Sequence, residues 1–196
     1  MGIMTAPAGP PVDDRLVSWW GSLKRRAPES ITTVVLHATE IPTLDEAWDY
    51  AERSADGTED GTGVCGHLYV DRDGGCHRFV PLDRVAAHAA GHNTPSIGIE
   101  LVNTGRHPDH FHSRSQEPDE DFPPDQTAAL IGLLTVLKET HPALAHLVRH
   151  SDLDQETVPA SDDPDVPVRR RIDPGPRFPW DDVRRRWERM PGPFPA

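Results

Sequence analysis

The chain has 196 residues, enough for one domain with a sizeable core and cramped for two. Hydrophobic residues make up 36%, charged residues 27%, and 21 prolines point to a soluble, loop-rich fold; no apolar run approaches the ~18 residues a membrane-spanning helix needs. The net charge of −12 speaks against holding nucleic acid by its phosphates, which wants a basic stripe, and against unaided adhesion to anionic membranes or walls.

Residues 1–12 read as a Pro/Gly/Ala arm without fixed structure. "MGIMTAPAGPP" has neither the charged start nor the apolar core of a secretory signal. It also carries Ala6 where a myristoylation motif wants Ser or Thr. A cytoplasmic location is therefore expected, or export by a route that leaves no N-terminal mark. "DDRLVSWWGSLKRRA" sets Leu16, Trp19, Trp20 and Leu23 at helical spacing, with acids first and bases last, so a helix is predicted there. "TTVVLHAT" is a short buried strand ending on His37, and "LDEAWDYAERSA" is a helix followed by a loop.

"HLYVDRDGGCHRFV" reads as a hairpin turning at Asp71–Gly74, which pairs Tyr69 with Cys76. The two cysteines, Cys65 and Cys76, would then lie roughly 13 Å apart along the ladder, too far for a disulfide. After a loop at 84–95 comes the strand "SIGIELVN". Residues 104–124 look like a polar insertion, and "DQTAALIGLLTVLKET" is the clearest helix, with Asp125 as its expected N-cap. "ALAHLVRH" enters His150, and "WDDVRRRWERM" forms a last helix with Trp180, Val183 and Trp187 on one side, before a tail at 191–196. Strands and helices mix over a single domain at 13–190: an α/β fold with a central mixed sheet flanked by helices.

Eleven histidines offer many combinations. The group His107, His110 and His112 sits in the polar insertion and reads as surface loop. His37 and His150 each close an apolar run, where open α/β sheets build their sites. With Asp173 of "RRRIDPGPRFPW" they make two imidazoles and one carboxylate, the donor set of a catalytic zinc with a fourth position left for water. Spacing alone singles out this triple only weakly. In "SIGIELVN" strand parity puts Ile97, Ile99 and Leu101 on one face and Ser96, Gly98 and Glu100 on the other. Glu100 is thus either a solvent-facing edge residue or a carboxylate lining a cleft.

The segments "VVLHAT", "GHLYVDRDGG", "AHAAGHN", "SIGIELVN", "RHSDL" and "RIDPGPRFPW", in that order, resemble the zinc-dependent N-acetylmuramoyl-L-alanine amidase family over about residues 31–190. Its fold is shared with T7-type lysozymes and peptidoglycan recognition proteins. The resemblance implies one zinc ion held by His37, His150 and Asp173, with Glu100 as general base. The expected partner is peptidoglycan or soluble muropeptide acted on by a monomer, with nucleic acid and membrane excluded by the charge and the lack of an apolar span. The alternatives are a recognition module that binds muropeptide without cutting it, and a related zinc amidase with another substrate.

The chain departs from the family pattern at four places. Arg171 stands where many relatives have a lysine; it stays protonated and implies charge stabilisation of an oxyanion rather than proton transfer. Ala87 replaces a tryptophan beside His88, so one aromatic wall of the cleft is missing, and His88 and Asn93 are carried over as substrate-cleft residues. The 22-residue linker between His150 and Asp173 is long and suggests a lid. Gly66 replaces a tyrosine found in some branches before His67, which leaves Glu100 without a competitor as base; His67 itself reads as a hydrogen-bonded structural histidine.

Overall fold

The computed structural model describes residues 9–191. Six strands form one sheet in the order β1-β4-β3-β5-β2-β6. They are β1 (Val12–Asp14), β2 (Thr33–Ala38), β3 (Leu68–Val70), β4 (Cys76–Arg78), β5 (Ser96–Leu101) and β6 (His146–Arg149). Every neighbouring pair is parallel except the β3–β4 hairpin, so the sheet is mixed, as expected. Four helices accompany it: α1 (Leu44–Arg53), α2 (Pro124–Thr140), the single turn α3 (His150–Leu153) and α4 (Trp180–Arg189). A separate antiparallel pair, β7 (Thr157–Pro159) and β8 (Pro167–Arg169), occupies the long linker between His150 and Asp173. Among the described residues no helix is long and apolar enough to cross a membrane.

Side-chain alternation splits the sheet into two chemically different faces. Val34, Leu36, Ile97, Ile99 and Leu101 pack with Leu130, Leu133, Leu134 and Leu137 of α2 and Val183 and Trp187 of α4. This is the parity read from "SIGIEL". Gln126, buried at the start of α2, donates to the carbonyls of Val70 and Val102 at 2.9 Å each and so locks α2 to the ends of β3 and β5. The opposite face receives Tyr69, Phe79 and the apolar side of α1. Helix α1 starts where the Thr43 hydroxyl accepts the Glu46 N–H at 3.2 Å.

Several expectations are corrected. No α-helix forms over 13–27; a single 3₁₀ turn at Trp20–Ser22 is all that is helical there before Pro28. The segment instead runs extended beside β4, with Arg15 N–H on the Arg78 carbonyl and Val17 N–H on Phe79, both at 3.0 Å. Val17 and Trp19 are buried while Ser18 is exposed, a two-residue period that the helical spacing of Leu16, Trp19 and Leu23 had masked. The arm expected over 1–12 also ends earlier, because Val12 already belongs to β1; residues 1–8 and 192–196 lie outside the described residues.

The hairpin is one residue out of the expected register: Val70 faces Cys76 and Tyr69 faces His77. The loop spans 71–75, closed by Asp71 N–H on the Gly75 carbonyl at 2.8 Å. Gly74 there adopts φ +86, a left-handed conformation that suits glycine. The slip has a physical cause. It carries Cys76 to the same face as Val70 in the α2 core, whereas the expected register would have placed it opposite. Both thiols are free, as expected, but for a further reason: Cys65 belongs to the other face's cluster. Helix α2 begins two residues early, with Pro123 rather than Asp125 at the N-cap and Asp125 in the first turn.

Candidate metal centre and cleft

The site is assembled at the carboxyl ends of the parallel strands. His37 is the penultimate residue of β2, and in the β2–β5 ladder its partner is Glu100. Ladder partners share a face, so both side chains leave the sheet on the side away from α2. His150 follows directly on β6, the other neighbour of β2. Asp173 arrives from the loop after β8, and its carbonyl accepts the Ser151 N–H at 3.0 Å, which ties the two approaching loops together.

Three lone-pair atoms meet there. His37 Nδ1 lies 3.0 Å from His150 Nδ1 and 3.1 Å from Asp173 Oδ2, and His150 Nδ1 lies 3.0 Å from the same oxygen. All three residues are buried. Ligand atoms on a tetrahedral zinc stand about 3.3–3.5 Å apart, so this constellation fits after opening by a few tenths of an ångström. The charge balance agrees. Burial opposes a proton on His37, yet Glu100 and Asp173 together raise its pKa above the usual histidine value. Burial likewise pushes Asp173 up, but the hydrogen bonds and charges of His150 and His37 hold its carboxyl far below the usual range. The pocket favours positive charge, which a metal ion held there would supply. Asp173 Oδ1 is buried without a hydrogen-bond partner among the described residues. His37, His150 and Asp173 can therefore hold a metal ion.

Around them opens a cleft of about 560 Å³. Glu100 lines it, 13% exposed at the side chain, with Oε1 4.0 Å from His37 Nδ1. Burial, with Asp173, raises the Glu100 pKa against the pull of the histidines and Arg171. Arg171 lines this cleft and a second one of about 530 Å³, and among the described residues it forms no ion pair. Its neighbour Arg170 points to Asp154 (2.7 Å) and Glu156 (3.2 Å). Of the three arginines in "RRR", Arg171 alone lines the clefts with Asp173 or His150 while free of a carboxylate partner. Ala87 lines both clefts.

His88 lines both clefts and stands against His37, not beside the donor atoms: His37 Nε2 is 3.0 Å from His88 Nδ1. Asn93 borders the second cleft, but its Oδ1 accepts the N–H groups of His88 (3.0 Å) and Ala89 (2.7 Å). His67 is fully buried; its Nδ1 accepts the Gly98 N–H and its Nε2 lies 3.0 Å from the Arg84 carbonyl. Burial and nearby Arg26 hold its pKa down to about 3, so it stays neutral, the structural histidine expected.

Other residues of the cleft were not foreseen. His107 and His110, read as surface loop, line it. His110 Nε2 meets the Glu40 carbonyl at 3.2 Å. His112 does fit the surface reading, 3.6 Å from Asp162. Tyr50, 53% exposed on α1, presents an aromatic ring at the same cleft. Helical phase could have shown Tyr50 off the Ala47–Ala51 stripe, but nothing in the sequence tells which surface that side faces.

A model of the family described as N-acetylmuramoyl-L-alanine amidase matches residues 27–176. An endolysin of Enterobacteria phage K11 is 30% identical over 96 residues, which is 49% of this chain and 58% of the endolysin, so the match spans little more than half of that relative. Among solved structures, the N-acetylmuramoyl-L-alanine amidase LysC of Clostridium intestinale superposes with a TM-score of 0.63 at 20% identity, covering 91% of this chain and 98% of LysC. The amidase AmiD of E. coli, solved with anhydro-N-acetylmuramic acid-L-Ala-D-γ-Glu-L-Lys, gives 0.59 at 24% identity over 83% of this chain and 60% of AmiD. The fold is thus the amidase fold, and the matched segment carries His37, Glu100, His150 and Asp173 together. This chain belongs to the N-acetylmuramoyl-L-alanine amidase family.

Proposed function

We propose that the protein is a zinc hydrolase that cleaves the amide between N-acetylmuramic acid and L-alanine in peptidoglycan or its soluble fragments. The observation that carries this reading is the convergence of His37 Nδ1, His150 Nδ1 and Asp173 Oδ2 within about 3 Å of one another, beside a carboxylate in an open cleft. The muropeptide bound to AmiD gives the chemical class of ligand that this fold accommodates. A zinc ion held by the three residues would polarise the amide carbonyl and make water acidic enough to attack near neutral pH.

Glu100 takes a proton from the attacking water and returns it to the departing L-alanine amine; its position beside His37 aims it at the donor atoms. Arg171 carries a fixed positive charge into the cleft and stabilises the oxyanion that forms as the carbonyl is attacked. The test offers zinc-loaded and chelated protein both intact sacculi and soluble muropeptides, and counts newly exposed L-alanine amino groups. Release that depends on zinc supports the reading, and the preferred substrate separates wall from fragment. No release from either, with zinc bound, overturns it.

A further inference from the structure

We infer that His88 is a positioning residue for the metal centre: with Ser96 it fixes the tautomer of His37, so that His37 Nδ1 presents a lone pair to the ion. The inference rests on the reading of His37 as a ligand. It follows from a chain of hydrogen bonds that can be read only one way. Ser96 Oγ lies 2.6 Å from the His92 carbonyl, which accepts only, so the single hydroxyl proton is spent there. Ser96 Oγ also lies 3.2 Å from His88 Nε2 and must therefore accept from it. Neutral His88 then has its lone pair on Nδ1, which sits 3.0 Å from His37 Nε2. His37 accordingly donates from Nε2, so in the neutral ring Nδ1, which faces His150 and Asp173, is the nitrogen left with a lone pair.

A ligating histidine usually gives its second N–H to a carboxylate, a carbonyl or water. Here a second imidazole takes that place, and the fold is built to hold it. A Cβ on Gly98 would lie 2.6 Å from His88 Cγ, so only glycine lets the ring lie against β5. Asn93 pins the backbone of His88 and Ala89 from the other side, and the rings of His37 and His88 meet edge-on with centroids 5.1 Å apart. The "AHAAGHN" segment and the "SIG" of β5 thus act through His37.

The test begins with nitrogen NMR of the metal-free wild-type protein. Read at a pH high enough to make His37 neutral, His37 should show an unprotonated Nδ1 and a protonated Nε2, and His88 the same tautomer. Zinc affinity is then measured by competition with a chromophoric chelator. His88→Leu should weaken binding by roughly 10–100-fold. His88→Asn, whose Oδ1 can accept from His37 Nε2, should recover most of that loss. Ser96→Ala should broaden or mix the His88 tautomers. A neutral wild-type His37 that carries its proton on Nδ1, or an unchanged zinc affinity in folded His88→Leu, overturns the inference. A wild-type protein that takes up no zinc defeats the metal reading instead, and the NMR tautomers still decide whether the relay exists.

Discussion

Glu100 and Gly66 compete for one volume. A Cβ at position 66 would sit 2.7 Å from Glu100 Cγ and 3.3 Å from its Oε1, so the missing side chain makes room for the carboxylate. Glu100→Gln should keep the fold and the metal while losing about 10²–10⁴ in turnover, the usual worth of a general base. Gly66→Ala should push Glu100 aside and lower kcat with zinc stoichiometry unchanged; full activity in Glu100→Gln would remove Glu100 from the reaction. Arg171 is tested by charge. Lysine at 171 should retain most of the rate and alanine should lose it, since a stabiliser of the oxyanion needs a cation there more than a particular shape. Equal, full activity of both variants would leave Arg171 a bystander.

At the scale of elements, the polar insertion is held by one buried ion pair. Arg106, 1% exposed, makes two bonds to Glu40, at 2.6 and 2.7 Å, and reaches the carbonyls of Arg169 (2.8 Å) and Arg170 (3.2 Å). It thereby clamps the turn after β2 to the strand that leads into Arg171 and Asp173. Arg106→Ala strands a buried carboxylate and should destabilise the fold by about 3–5 kcal/mol in denaturant titration. Glu120 closes the other end of the insertion, bonded to Arg72 Nε at 2.6 Å and to the Thr104 N–H at 2.5 Å. Burial raises its pKa, but these bonds outweigh it and leave it below the usual glutamate value. A lowered folded pKa means stability that is present above the unfolded value near ~4.3 and is lost as pH falls through the folded one. Glu120→Gln should therefore flatten the acid limb of the thermal-stability profile below about pH 4.5; an unchanged limb would show that this contact adds nothing.

Elements whose pattern is local were legible. The Leu130–Leu137 stripe wrote α2, and the alternation around Ile97–Leu101 wrote β5 together with the outward direction of Glu100. The failures share a cause: they were decided by a partner distant in sequence. The segment at 13–27 satisfied helical spacing, but β4 offered its backbone a ladder instead. The hairpin's register followed from which face of the sheet α2 covers. His107 and His110 became cleft residues because Arg106 is anchored to Glu40, 66 positions earlier. The donor triple was visible as residue types, yet its 3 Å convergence depends on strand order β5-β2-β6.

That order gives the whole molecule its last testable property. The three donors come from the ends of β2 and β6 and from the loop after β8, separated by up to 136 positions, so the unfolded chain has no comparable site. An ion that binds only the folded state stabilises it by RT ln(1 + [L]/Kd), about 2.7 kcal/mol at a hundredfold excess over Kd. For a domain of this size that raises Tm by roughly 5–10 °C. Zinc should produce such a rise in calorimetry, chelation should reverse it, and His150→Ala should abolish it while Glu100→Gln preserves it. A rise equally large in His150→Ala would place the ion elsewhere. No rise at all in the wild type would mean that the carboxylate demand around His37 is met by its own proton, leaving the three donors as a buried hydrogen-bonded cluster.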